Sequence, residues 1–157
     1  MRLIDRVLAV LLTVGALADA ASQPHRELNA LAIVSLVVLT GSVAWRRGNP
    51  ALATLVAVTG FGVFQLASRY AGDGAFEVAA IALNFYLLGC RAQGRTSLSV
   101  CAVVFASWLA GAAVVAYSVP GGSVGAVVGA WALVGGLPFA VGCTLASREP
   151  QGADARA

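Results

Sequence analysis

The sequence predicts an all-α polytopic membrane protein: six transmembrane helices in an antiparallel bundle, with both termini cytoplasmic. Three observations predict it. Hydrophobic residues make up 59% of the 157 and mean hydropathy is +0.86, against about 45–50% apolar residues in an average soluble domain. Charged residues are only 11%, and they separate apolar runs long enough to cross about 30 Å of hydrocarbon at about 1.5 Å per residue. Each break between runs carries residues that turn a chain or stop a helix.

The first span, residues 3–21, resembles a secretory leader, since Arg2 precedes it and Ala18, Asp19, Ala20 and Ala21 close it. Asp5 and Arg6 interrupt its start and five similar spans follow, so it is read as a retained helix. "SQPHRE" around Pro24 leads into the second span, 28–45, and "RRGNP" at Pro50 into the third, 51–68. "YAGDG" precedes the fourth, 75–90, "RAQGR" the fifth, 98–117, and "SVPGGS" the sixth, 124–145. Every turn is short, so consecutive helices are expected to pack as antiparallel neighbours. Residues 1–147 then form one membrane domain, and 148–157 a short polar cytoplasmic tail expected to be disordered.

The arginines set the orientation. All ten basic residues are arginine. Arg2, Arg6, Arg46, Arg47, Arg91, Arg95, Arg148 and Arg156 fall on one side, and only Arg26 and Arg69 on the other. By the positive-inside rule the first side is the cytoplasm, in a cell (inner) membrane. Trp45, Arg46, Arg47, Arg91, Arg95 and Arg148 are the expected interfacial anchors, and Asp5 and Arg6 a local ion pair setting the depth of the first span. The net charge of +3 comes from these short loops rather than from a basic stripe, so no nucleic-acid partner is expected.

Asp19, His25 and Glu77, with Arg26, Glu27, Arg69 and Asp73, gather at the outer rim. Asp19 and Glu77 lie slightly inside their apolar runs, where a carboxylate is costly without a partner, so they are the first candidates for sensing residues, together with His25. The plainer reading is that charges end spans at a water interface. Asn84 and Gln65 lie deeper, where amides form interhelical hydrogen bonds or line a polar site. Gly121, Gly125 and Gly129 form a four-residue-spaced ridge for helix packing, within the chain or in a homodimer. Pro138 removes a backbone donor in the last span and is a candidate hinge. Cys90, Cys101 and Cys143 lack metal-ligand spacing, and no phosphate loop or catalytic constellation is present, so no enzyme activity, metal or cofactor is expected.

"WRRGNPALA" from Trp45 to Ala53, "FYLLGCRAQGR" from Phe85 to Arg95 and "LPFAVGCTLASR" from Leu137 to Arg148 together resemble a family. It is the N-terminal membrane domain, of unknown function, of actinobacterial sensor histidine kinases of the HisKA_3 type. The resemblance implies a two-component input domain whose last helix leads into a signalling helix. The residues after Arg148 contain Pro150 and Gly152 and no histidine, so the kinase core is expected to be lacking, and Cys143 stands where those proteins often place an arginine. The expected function is a non-catalytic membrane sensor or regulatory module in the lipid bilayer, acting as a homodimer or on a membrane-bound signalling protein. The alternatives are a small oligomeric transporter or channel, with Asp19, Glu77, Asn84 and Gln65 facing one cavity, and a truncated kinase.

Overall fold

A computed structural model describes residues 3–23, 28–69, 74–92, 95–118 and 123–148, with the side chains of 95–97 and 148 excepted. His25, Gly121 and the tail beyond 148 lie outside the described residues. The chain is all-helical: α1 (Leu3–Ser22), α2 (Ala30–Gly41) running into a 3-10 turn (Ser42–Ala44), α3 (Pro50–Ala67), α4 (Ala75–Cys90), α5 (Arg95–Ser118) and α6 (Val124–Arg148).

Local chemistry places these ends. Asn29 caps α2 by accepting the Ala32 N–H at 2.8 Å, and its Nδ2 donates to the Ala67 carbonyl at 2.8 Å, tying the start of α2 to the end of α3. Asn49 caps α3 by accepting the Leu52 N–H at 3.1 Å, and Pro50 fills the first helical position, where a missing N–H costs nothing. This is the structural meaning of "GNP". At the other end of α3, Arg69 takes the left-handed conformation (φ 49°) that stops the helix, a place where glycine is usual.

Among the described residues, three helical segments are long and apolar enough to cross a membrane: Pro50–Ala67, Leu98–Ser118 and Val124–Ser147. Ala30–Ala44 and Ala75–Cys90 are apolar but shorter. The 20-residue α1 carries Asp5, Arg6 and Asp19 within its length. The short α4 sits at the centre of the bundle, packed on α1, α2, α3 and α6. There, neighbouring helices rather than lipid satisfy its ends. Large apolar side chains such as Ile4, Leu11, Val34, Val103, Leu133 and Leu137 point outward from the bundle. Helices apolar on their outer faces as well as their inner ones associate with a lipid bilayer.

The expectation that consecutive helices are neighbours needs one correction. α1 packs on α2, α2 on α3, α3 on α4, and α5 on α6, but the backbones of α4 and α5 do not pack closely. α6 takes that place against α4, and α5 lies on α3. Aromatic rings fill the space between: Phe85 reaches Phe105 and Trp108, and Trp108 stacks on Trp131 with centroids 4.3 Å apart. Trp108 Nε1 donates to the Trp131 carbonyl at 2.6 Å, giving the buried indole the partner it needs.

The glycines that make close packing are not those of the predicted ridge. A β-carbon on Gly125 or Gly129 would meet open space. One on Gly89 would strike the Phe139 carbonyl, and one on Gly142 the Tyr86 carbonyl and the Cys90 nitrogen, which lies 2.9 Å away. α4 and α6 therefore cross backbone to backbone through a reciprocal glycine pair, as small residues allow in membranes. The period-four ridge faces away because α6 meets α4 through its second half. α6 continues unbroken through Pro138, one residue before the Phe139 carbonyl that Gly89 receives.

Candidate functional site

Polar side chains inside the bundle form three groups. The first joins the start of α1 to the turn after α2. Asp5 is buried, and Arg46 Nη2 approaches its carboxylate at 3.3 Å while Arg47 Nε lies 2.8 Å from the other oxygen. Arg46 is itself buried, and Arg47 is half-exposed. The expected Asp5–Arg6 pair is thus corrected to an interhelical clamp. Adjacent residues on a helix do not face each other, so Asp5 turns inward and Arg6 outward.

The second group lies about two turns deeper. Asn84 on α4 donates from Nδ2 to Ser42 Oγ at 2.9 Å and to the Ala80 carbonyl at 2.9 Å. Thr54 on α3 donates to the Asn84 carbonyl at 3.3 Å and to the Pro50 carbonyl at 2.7 Å. Beside it, Thr13 and Thr40 share a 2.7 Å hydrogen bond between α1 and α2. All of these hydroxyls also return a bond to their own helix, as polar residues do in an apolar bundle. Asn84 is therefore a packing amide near the clamp, well away from the other sensing candidates.

The third group is at the opposite end. Glu77, fully buried, stands at the third position of α4, where a carboxylate reaches back toward the helix N-terminus. Asp19 arrives from the last turns of α1, and Gln23 Nε2 lies 3.4 Å from its Oδ2. Both carboxylates crowd the point where a β-carbon on Gly74 would sit, so the absence of a side chain there leaves the two acids room to share this place. The structure thus brings Asp19 and Glu77 together, from residues 58 positions apart, and Gln65 is buried on the neighbouring α3.

The cysteines are free, and Cys143 Sγ donates to the Gly89 carbonyl at 3.5 Å, within the α4–α6 crossing. Among the described residues no group of three or more histidine, cysteine or acidic side chains is placed to hold a metal ion. Trp45 and Arg91 are exposed at the same end as the clamp, while the side chains of Arg95 and Arg148 lie outside the described residues. Sequence reasoning missed the reach of Asp5 to the "RR" turn and the Gly89–Gly142 crossing. The signal that could have found the first is a lone acid at the start of the apolar α1 with an arginine pair some forty residues later, at positions 46 and 47.

Fold and site together define an all-helical, membrane-associated bundle with an acid pair at one end and an aspartate–diarginine clamp at the other. Compared with known proteins, the chain matches no family, no curated protein and no solved structure.

Proposed function

We propose that the chain is a non-catalytic membrane sensor or regulatory module, akin to the input domain of a two-component histidine kinase, with all six helices in the bilayer and both ends in the cytoplasm. One observation carries the reading. A single central helix, α4, holds Glu77 beside Asp19 at one end and the Gly89 contact with α6 at the other. A helix of 16 residues is about 24 Å long. It is stiff on that scale, so a change at the acid pair is delivered to α6, the helix that leaves the bundle last.

The orientation follows from charge. The end bearing Asp5, Arg46, Arg47 and Arg91 is assigned to the cytoplasm by the positive-inside rule, and the Asp19–Glu77 end to the outside. The partner is a second copy or a membrane-bound signalling protein, met through the outward face of α6 that carries Gly125 and Gly129.

The test is a pull-down of the tagged chain from native membranes, with recovery of a signalling protein as the expected result. Repeated capture without any signalling partner removes the reading. The relay has its own readout: a short bifunctional thiol reagent joins Cys90 to Cys143, and Glu77→Gln is expected to change its yield. Transport is the competing activity, and flux in proteoliposomes tests it. The geometry favours it less, because Asn84 is committed to Ser42 and the α4 backbone rather than to a cavity shared with Glu77.

A further inference from the structure

We propose that Cys90 and Cys143 are a redox-active thiol pair, converted by a small disulfide oxidant into an intrachain disulfide that fastens α6 to α4. Three observations place the two cysteines together. The β-carbon that Gly142 lacks would sit 2.9 Å from the Cys90 nitrogen, so the residue before Cys143 rests on the backbone of Cys90. Cys143 Sγ lies 3.5 Å from the Gly89 carbonyl oxygen, one peptide bond away from Cys90. The two thiols are also near enough for a charge on one to act on the other. A disulfide needs its α-carbons about 4.4–6.8 Å apart, the kind of approach that a glycine crossing between helices supplies.

Cys90 is half-buried at the last position of α4, beside exposed Arg91, so an oxidant arriving from water meets it there. Its thiolate attacks the S–S bond of the oxidant, forming a mixed disulfide and releasing one thiol. Cys143 then gives up its proton, attacks the Cys90 sulfur and displaces the second thiol. Two electrons pass to the oxidant, and the two cysteine protons end on the two released thiols. The product strands no buried group. The Gly89 carbonyl loses its thiol donor but keeps the Ala92 N–H at 3.1 Å. Cys101 stays outside the exchange, because it is buried on α5, whose backbone does not pack closely on α4. The bond holds the α4–α6 crossing closed, and it does so whether or not the acid pair at the other end of α4 is sensed.

The test uses the full chain in lipid nanodiscs, equilibrated with glutathione disulfide and then alkylated with N-ethylmaleimide under denaturing conditions before its intact mass is measured. Of the three cysteines, two are expected to lose their maleimide additions together, with no glutathione retained, and dithiothreitol is expected to restore both. Peptide mapping is expected to find the bond between Cys90 and Cys143. Cys143→Ser keeps a hydroxyl donor for the Gly89 carbonyl but removes the resolving sulfur, so glutathione is expected to stay on Cys90 as a mixed disulfide. Three maleimide additions on the oxidised, unmodified chain overturn the proposal, as does a bond that maps to Cys101 or joins two chains. Glutathione held by the unmodified chain as a lasting mixed disulfide overturns it too, since Cys143 would then be out of reach of Cys90.

Discussion

Asp5 is the residue on which the basic end depends. Its carboxylate is the shared acceptor of a buried and a half-buried arginine, and removing one partner of a buried pair costs about 3–5 kcal/mol because the other charge stays behind uncompensated. Asp5→Ala is therefore expected to lower stability by that amount in a detergent unfolding titration. Asp5→Leu combined with Arg46→Met removes both charges and is expected to recover most of the loss. Asn84 behaves differently. It donates two hydrogen bonds but leaves its Oδ1 buried without a donor among the described residues, and Ser42 keeps its own 2.7 Å bond to the Leu39 carbonyl. Asn84→Leu is thus expected to cost less than about 1 kcal/mol, near the low end of the range for interhelical hydrogen bonds in membranes. If its loss matches that of Asp5→Ala, the division between clamp and packing amide is wrong.

At the scale of elements, the α4–α6 crossing is held by backbone contact, so it tolerates no side chain. Gly89→Ala places a methyl on the Phe139 carbonyl, which belongs to a helix and cannot swing aside. The expected result is a loss of about 1–3 kcal/mol, the usual cost of overpacking. Gly129→Ala faces open space and is expected to be neutral or to gain up to about 1 kcal/mol in helix propensity. The same crossing puts Gly142 against the Cys90 nitrogen, so Cys143 and Cys90 are neighbours on facing helices. A bifunctional maleimide of about one helix diameter is expected to bridge them within one chain, read as a mass shift without dimer on a denaturing gel. With Cys101 replaced by serine, no bridge would mean that α4 and α6 are not paired.

For the whole molecule, the arrangement sorts charge by end. The Asp5–Arg46 contact joins the start of α1 to the end of α2, and Asn84 joins the second half of α4 to the same turn, so Arg6, Arg46, Arg47 and Arg91 gather together. The proposed topology, six helices in the bilayer with that end inside, is expected to place a C-terminal green fluorescent protein in the cytoplasm, where it fluoresces, and a C-terminal alkaline phosphatase where it stays inactive. Active phosphatase would invert the orientation or change the number of spans.

Much of this was legible in the sequence, because helices in an apolar chain are decided locally. Apolar run length, the "GNP" cap at Asn49 and Pro50, and the polar breaks fixed six helices close to where they stand. Asp19 and Glu77 could be singled out because a carboxylate inside an apolar run is conspicuous on its own. Their sharing one place over Gly74, the turning of Asp5 toward Arg46 and Arg47 rather than Arg6, and the choice of Gly89 and Gly142 over Gly125 and Gly129 depend on which helix meets which. Helix-forming bonds lie within a few residues of one another, whereas glycine contacts and buried ion pairs exist only after distant helices have packed. The sequence by itself therefore determined an all-helical, membrane-associated chain and its polar outliers, and only the tertiary structure decided which of those outliers meet.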